Sequence, residues 1–139
     1  MSKETYHLEI NSDPNKLPLV EEFLEEISSG AKMDRTHLNN LLLAVNEAIS
    51  NAMLHGNKAS SDKKVRLRVE LEDTSLTVYI KDEGKGFNPE EVPDPTAPEN
   101  IFRDSGRGLY IMKSCMDEVK YNFTPEGTEL VLSMKFSKR

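Results

Sequence analysis

Two pairs of segments, in which apolar and polar residues alternate, constrain the fold of this chain more than any other feature. Residues 65–71 and 76–80 alternate with a period of two, and only a short polar turn separates them. Residues 119–123 and 130–136 repeat that arrangement, and residues 5–10 alternate in the same way. Because a period of two is typical of half-buried strands, and short turns join antiparallel neighbours, both pairs predict antiparallel hairpins. The chain therefore needs a largely antiparallel sheet with one apolar face to cover.

Apolar residues at helical spacing predict three helices that can cover this face. The first occupies residues 14–30, with capping residues before it and Gly30 at its end. The second follows a capping aspartate, Asp34, and occupies residues 35–55, and the third begins at Gly106. The resulting order, β-α-α-β-β-loop-α-β-β, predicts the α+β class. We expect a two-layer α/β sandwich with helices on one face of a mixed, mostly antiparallel sheet.

Size and charge narrow the functional classes. A length of 139 residues predicts a single domain, 1–139, with its own core. The net charge is −6 and no dense basic tract occurs, so we expect no direct binding to nucleic acid. The one cysteine, Cys115, fits a packed residue in a reducing cytoplasm, where we place the protein. No apolar run approaches the roughly 20 residues of a membrane span, so we expect no membrane association.

The segment 84–104 differs from the rest of the chain. It contains two glycines and four prolines but few apolar residues. A loop of this length within a small domain is usually functional or disordered. We interpret it as a mobile lid.

A polar stripe on the second predicted helix is the first candidate for chemistry. Glu47, Asn51 and His55 follow at positions i, i+4 and i+8, which places them on one helix face. The amide oxygen is a hard neutral ligand suited to Mg²⁺, and the carboxylate can accept a proton from an attacking hydroxyl. Taken alone, the stripe is better explained as a solvated helix face.

Two further motifs flank the segment 84–104. Asp82 ends an apolar strand and is followed by Gly84 and Gly86, so a buried acceptor there can take the amino group of adenine. The alternative is a plain turn with two glycines. At the other end, backbone N–H groups at the start of a glycine-rich helix can bind phosphate. The residues of that second motif are Arg103, Ser105, Gly106, Arg107, Gly108 and Leu109.

The known phosphate-binding signatures do not fit this second motif. It joins no strand to a helix within a βαβ unit, which argues against a dinucleotide-binding fold, and no P-loop string occurs in the chain. The alternative is a glycine-rich helix start with solvated arginines. A fourth signal is Gly127-Thr128 at the start of the last strand, where Thr128 can hydrogen-bond the base edge or a water near Asp82.

Together, in this order, the four motifs resemble a known family. They read Asn-Glu-Ala-x-x-Asn-Ala-x-x-His-Gly, Asp-x-Gly-x-Gly, Ser-Gly-x-Gly-Leu and Gly-Thr. This order is similar to the N, G1, G2 and G3 boxes of GHKL ATPases, a superfamily that holds histidine kinases, gyrase B, Hsp90 and MutL. Length and spacing most resemble its short stand-alone branch, the anti-sigma factor serine kinases of the RsbW and SpoIIAB type. The resemblance implies a Bergerat-type ATP-binding fold.

The resemblance implies a role for each matched position, with ATP and Mg²⁺ as cofactors. Glu47 is the expected general base for a serine or threonine hydroxyl of a partner protein, and Asn51 the expected Mg²⁺ ligand. Asp82 is expected to read adenine, with Thr128 helping. Residues 87–105 are the expected ATP lid. The full expected nucleotide-binding set is Asn51, His55, Asp82, Gly84, Gly86, Arg103, Ser105, Gly106, Arg107, Gly108, Leu109 and Thr128.

The same resemblance implies partners. Members of this branch bind a sigma factor in one state and phosphorylate a STAS-domain anti-anti-sigma protein in another, and they form homodimers. Three alternatives stay open. The first is a kinase that switches a different partner. The second is a nucleotide-sensing module without catalysis, and the third is the catalytic domain of a split histidine kinase. We disfavour the last because no phosphoacceptor helix pair precedes residue 5.

Overall fold

The computed structural model describes residues 3–57, 62–83 and 106–139. A short 3₁₀ turn, Pro14–Lys16, precedes the first helix, and a π-helical turn, Ala52–Gly56, follows the second. Among the described residues, none of the helices combines the length and apolar character needed to cross a membrane. The helices and strands are β1 (Glu4–Asn11), α1 (Leu17–Ala31), α2 (Arg35–Asn51), β2 (Lys64–Leu71), β3 (Ser75–Asp82), α3 (Gly106–Cys115), β4 (Glu118–Thr124) and β5 (Gly127–Lys135).

The strands form one sheet in the order β1-β2-β3-β5-β4. Both predicted hairpins are present, since β2 pairs with β3 and β4 pairs with β5. The α+β sandwich is confirmed. The mixed character expected of the sheet is not found among the described strands, because β1 joins β2 and β3 joins β5 in antiparallel pairs as well. The predicted lid, residues 87–105, lies outside the described residues.

The helix α2 forms the centre of the helical layer. It packs against α1 on one side and α3 on the other. Leu41, Val45 and Ile49 repeat at helical spacing, and each is fully buried against the alternating apolar side chains of the sheet. Each such burial stabilises the fold by about 1.5–3 kcal/mol. Any polar side chain on the remaining face of α2 is therefore held on a firmly packed helix.

The end of α1 differs from the prediction. Gly30 does not end the helix, which continues to Ala31. The residue in the left-handed conformation is Lys32, with φ 58°, and its N–H bonds back to the carbonyls of Ser28 and Ser29. Met33 N–H also reaches Ser28 O, at 3.0 Å. The left-handed residue that ends the helix is thus Lys32, two positions after the predicted Gly30. Gly30 is an ordinary helical residue.

We expect Gly30→Ala to raise the free energy of unfolding by about 0.5–1 kcal/mol, because glycine in a helix loses more backbone entropy than alanine. Gly30 is exposed, and a Cβ added to it would meet nothing within 4 Å. Urea denaturation measures the change. Lys32→Gly is the matched variant, and it should stabilise by about 1 kcal/mol because Lys32 has a positive φ. Destabilisation by Gly30→Ala would mean that Gly30 ends the helix after all.

The start of α2 is as predicted. Asp34 caps it, since Oδ1 accepts from the backbone N–H of His37 at 2.9 Å and lies 2.6 Å from the Nδ1 of that residue. The backbone bond and, second, the side-chain bond from His37 lower the pKa of Asp34 below its usual value. Because the folded-state pKa is the lower one, this stabilisation is present at neutral pH. It is lost as the pH falls through that lowered pKa.

Candidate functional site

The helix α2 brings Glu47 and Asn51 to one face. Both side chains are half-buried, while Val45 and Ile49 on the opposite face are fully buried in the core. One turn separates the carboxylate from the amide, which makes them neighbours on the helix surface. The backbone that carries these two side chains is therefore held in place by the core.

The helical backbone changes directly after Asn51, before the predicted stripe reaches His55. The backbone from Ala52 to Gly56 is π-helical, and Asn57 N–H bonds to Ala52 O at 2.8 Å, five residues back. A π turn contains more residues than an α turn, so the regular i+4 spacing on which the stripe was predicted applies only as far as Asn51. The side chain of His55 lies outside the described residues. Single-turn π segments are frequent at functional sites, so the π turn favours a functional role for this end of α2.

A buried aspartate lies at the end of β3. Asp82 is only 5% exposed, and its Oδ1 accepts from the backbone N–H of Thr128 at 3.1 Å. Thr128 therefore supports Asp82 through its backbone. The sequence predicted that its hydroxyl would help to read the base, and that role remains a prediction.

Gly127 is a site residue that the predicted set omitted. Its φ is 145°, and a Cβ built on it would lie 2.5 Å from Asp82 O and 2.8 Å from Asp82 Oδ1. Real Cβ atoms essentially never come so close, so only glycine lets β5 start directly against the aspartate. The Gly-Thr motif contained this signal, although in the sequence alone Gly127 marks only the turn before Thr128.

Asn57 is a second residue of this region to which the sequence motifs give no role. It is completely buried directly after the π turn. Its Oδ1 accepts from Glu83 N–H at 2.8 Å, and its Nδ2 donates to Lys64 O at 3.0 Å. The Glu83 carboxylate accepts from Lys64 N–H and lies 3.5 Å from the guanidinium of Arg66. Nothing local in the sequence distinguishes Asn57 from an ordinary loop asparagine.

The third helix, α3, is described from Gly106 to Cys115 and packs against α2. Gly108 is buried and Leu109 is half-buried, so this end of α3 is close-packed. Burial raises the pKa of the Cys115 thiol, which fits the packing role expected for it. Four predicted site residues, Gly84, Gly86, Arg103 and Ser105, lie outside the described residues, as do any side-chain contacts of Arg107.

The donor set fits a nucleotide and a magnesium ion. Asp82 offers a buried acceptor that can take a hydrogen bond from an exocyclic amino group, and the start of β5 at Gly127 packs directly against it. Asn51 offers one neutral oxygen, and Mg²⁺ usually completes its coordination with waters and substrate phosphates. A helix N-terminus such as that of α3 favours anions.

The antiparallel sheet, the helix with Glu47 and Asn51, and the strand end with Asp82 define a class of protein, the GHKL-type ATPase domain. Residues 10–134 match the family described as the histidine kinase-like ATPase domain. The chain therefore belongs to the histidine kinase-like ATPase family.

Named relatives and one solved structure indicate which members of this family the chain resembles. The chain is 38% identical over 115 residues to the anti-sigma F factor of Bacillus velezensis, in a match that covers 78% of this chain and 77% of that protein. It is 25% identical over 138 residues to the serine-protein kinase RsbW of Listeria innocua, covering 95% and 87%. Its fold is similar to that of the RsbU and RsbW domains of Rv1364c from Mycobacterium tuberculosis. The TM-score there is 0.72 at 17% identity, and the match covers 98% of this chain but 33% of that one.

Proposed function

We propose that this chain is an ATP-dependent serine/threonine-protein kinase that acts as an anti-sigma factor. Membership of the histidine kinase-like ATPase family supports nucleotide use. Relatives that align over most of their length are named anti-sigma F factor and serine-protein kinase RsbW, and they support the finer assignment.

One observation supports catalysis in particular. Glu47 and Asn51 share one half-buried face of a helix whose opposite face is packed in the core. In this proposal Asp82 accepts a hydrogen bond from the amino group of adenine, and Asn51 binds Mg²⁺. Glu47 removes the proton from the attacking hydroxyl. Mg·ATP supplies the phosphoryl group for in-line transfer. The remaining barrier is lowered chiefly by positioning and charge neutralisation, which a well-packed α2 favours.

The proposed partners follow from the relatives. The phosphoryl acceptor is a serine or threonine of a STAS-domain anti-anti-sigma protein, and the second partner is a sigma factor. We propose a homodimer in the cytoplasm as the working form. The formal net charge of −6 supports a protein partner rather than nucleic acid.

A capture experiment tests the anti-sigma part of this proposal. The immobilised protein is incubated with purified sigma subunits of RNA polymerase and with STAS-domain proteins from the same genome, with and without Mg·ATP. Retention of one sigma subunit is the expected result. Retention of a STAS-domain protein but of no sigma subunit would identify a kinase that switches a different partner.

We expect Asn51→Ala to weaken Mg·ATP binding by about tenfold or more, about 1.4 kcal/mol, but to change binding of metal-free ATP much less. The reason is that, in this proposal, the Asn51 amide binds Mg²⁺ and does not contact the adenine base. Titration calorimetry with and without EDTA measures both constants. Asn39→Ala is the matched control, since Asn39 is an exposed asparagine on the same helix. Equal losses in both titrations would remove Asn51 from the metal shell.

A further inference from the structure

One side chain connects the two halves of the proposed nucleotide site. Asn57 follows the π turn that ends the helix with Glu47 and Asn51. Its amide also contacts the residue that directly follows Asp82, because Oδ1 accepts from Glu83 N–H at 2.8 Å. Asn57 therefore lies between the helix assigned to metal and catalysis and the strand end assigned to the base.

The hydrogen bonds of Asn57 use both ends of the amide. Nδ2 donates to Lys64 O at 3.0 Å, and Lys64 N–H donates to the Glu83 carboxylate. Val65, the next residue, is the register partner of Asp82 in the pairing of β2 with β3. The amide thus bridges the open end of this hairpin, directly beside the pair that contains Asp82. A buried bridge of this kind has little freedom to shift.

The π turn adds a third fixed point. The backbone N–H of Asn57 bonds to Ala52 O at 2.8 Å, and the turn itself contacts β3 and β5. The last turn of the helix is therefore anchored to the same two strands whose ends carry Asp82 and Thr128. Asn57 has no exposed surface, so it cannot touch a nucleotide itself.

We propose that Asn57 is a positioning residue that sets Asp82 relative to α2 and thereby determines the preference for adenine over guanine. This inference rests on the proposed nucleotide site. Adenine presents an amino group where guanine presents a carbonyl, so an acceptor held at a fixed place distinguishes them. An acceptor whose supporting strand end can shift distinguishes them less well. Asn57 therefore acts through the backbone of Glu83 on the carboxylate of Asp82.

The first test measures the affinities of Asn57→Ala for ATP and GTP and compares their ratio with that of the wild-type protein. We expect the preference for ATP to fall by about tenfold. Both constants come from the same sample, so a loss of folded protein lowers both apparent affinities equally and leaves the ratio unchanged. A ratio unchanged within about twofold would overturn the role of Asn57. A wild-type protein without any preference for ATP would overturn the proposed site itself.

The second test uses Asn57→Asp, which has nearly the same shape. An ionised carboxylate can accept from Glu83 N–H but cannot donate to Lys64 O, whereas the protonated acid can do both. Burial and the nearby carboxylates of Asp82 and Glu83 should raise the pKa of the introduced acid, and the ammonium of Lys64 should oppose this. The ATP preference of Asn57→Asp should therefore recover as the pH falls from about 8 to about 6.

The control for the second test is Asn15→Asp, the same chemical change at an exposed asparagine. Its preference for ATP should follow that of the wild-type protein at every pH. Recovery at low pH in Asn57→Asp alone is the expected result, because a residue that only filled space would respond to neither the lost donor nor its return. A preference in Asn57→Asp that equals the wild-type value throughout would overturn the proposal.

Discussion

Replacing Glu47 with glutamine should reduce phosphoryl transfer by about 10²- to 10⁴-fold, the usual contribution of a general base, while Mg·ATP affinity changes by less than about twofold. Glutamine keeps the shape of the side chain but cannot accept the proton of the attacking hydroxyl. Glu47 is half-buried on a helix whose core residues remain untouched, so the fold should not change. Single-turnover transfer from labelled ATP to a STAS-domain partner measures the rate, and calorimetry measures the affinity.

The matched control for Glu47 is Glu25→Gln, on the exposed face of α1. It removes the same charge from the surface of the protein without touching α2. Its transfer rate should stay within about twofold of the wild-type rate. Retained transfer in Glu47→Gln would remove Glu47 from the role of base, and a parallel loss of ATP affinity would place it in nucleotide binding.

Replacing Gly127 with alanine should produce the second large effect, a loss of ATP affinity of at least about tenfold. The added Cβ would lie 2.5 Å from Asp82 O and 2.8 Å from Asp82 Oδ1, so the carboxylate or the start of β5 must move. The positive φ of 145° adds backbone strain, which costs about 1–3 kcal/mol. Calorimetry with ATP and thermal unfolding together measure the two effects.

Gly30→Ala controls for the chemical change itself. It adds the same methyl group at an exposed helical glycine with open space around it, and it should leave ATP affinity unchanged. If Gly127→Ala bound ATP as the wild-type protein does, the contact between Gly127 and Asp82 would have no part in nucleotide binding.

The sheet was predictable from the sequence because its signal is local. Alternation in residues 65–71 and 76–80 records which side chains face the core, and a turn of a few residues leaves little choice of partner. The capping of α2 was equally local, since Asp34 bonds the N–H of a residue three positions later. Patterns of this kind depend on neighbours in the chain.

Features that depend on distant residues were not predictable in the same way. Asn57 and Glu83 are 26 positions apart, and Thr128 and Asp82 are 46 apart, so no periodicity relates them. The end of α1 was misjudged for a different reason. Glycine is the common left-handed residue at a helix end, and here Lys32 adopts that conformation at a small energetic cost. The π turn at the end of α2 likewise contacts β3 and β5, which are distant from it in the sequence.

The candidate site could be proposed from the sequence as a set of motifs but not as a geometry. Glu47, Asn51 and Asp82 were identified by residue type and order, and the structure places the first two on one helix face and the third at a buried strand end. The contact between Gly127 and Asp82 required coordinates, because only the closeness of two strand ends makes a glycine necessary there.

Phosphosite mapping tests the proposed kinase activity most directly. The purified protein is incubated with labelled Mg·ATP and a STAS-domain protein from the same genome, and the modified residue is located by mass spectrometry. The account predicts label on one serine or threonine of that protein, absent with Glu47→Gln. Label on a histidine, or no transfer to any such protein while ATP binding is intact, would contradict it.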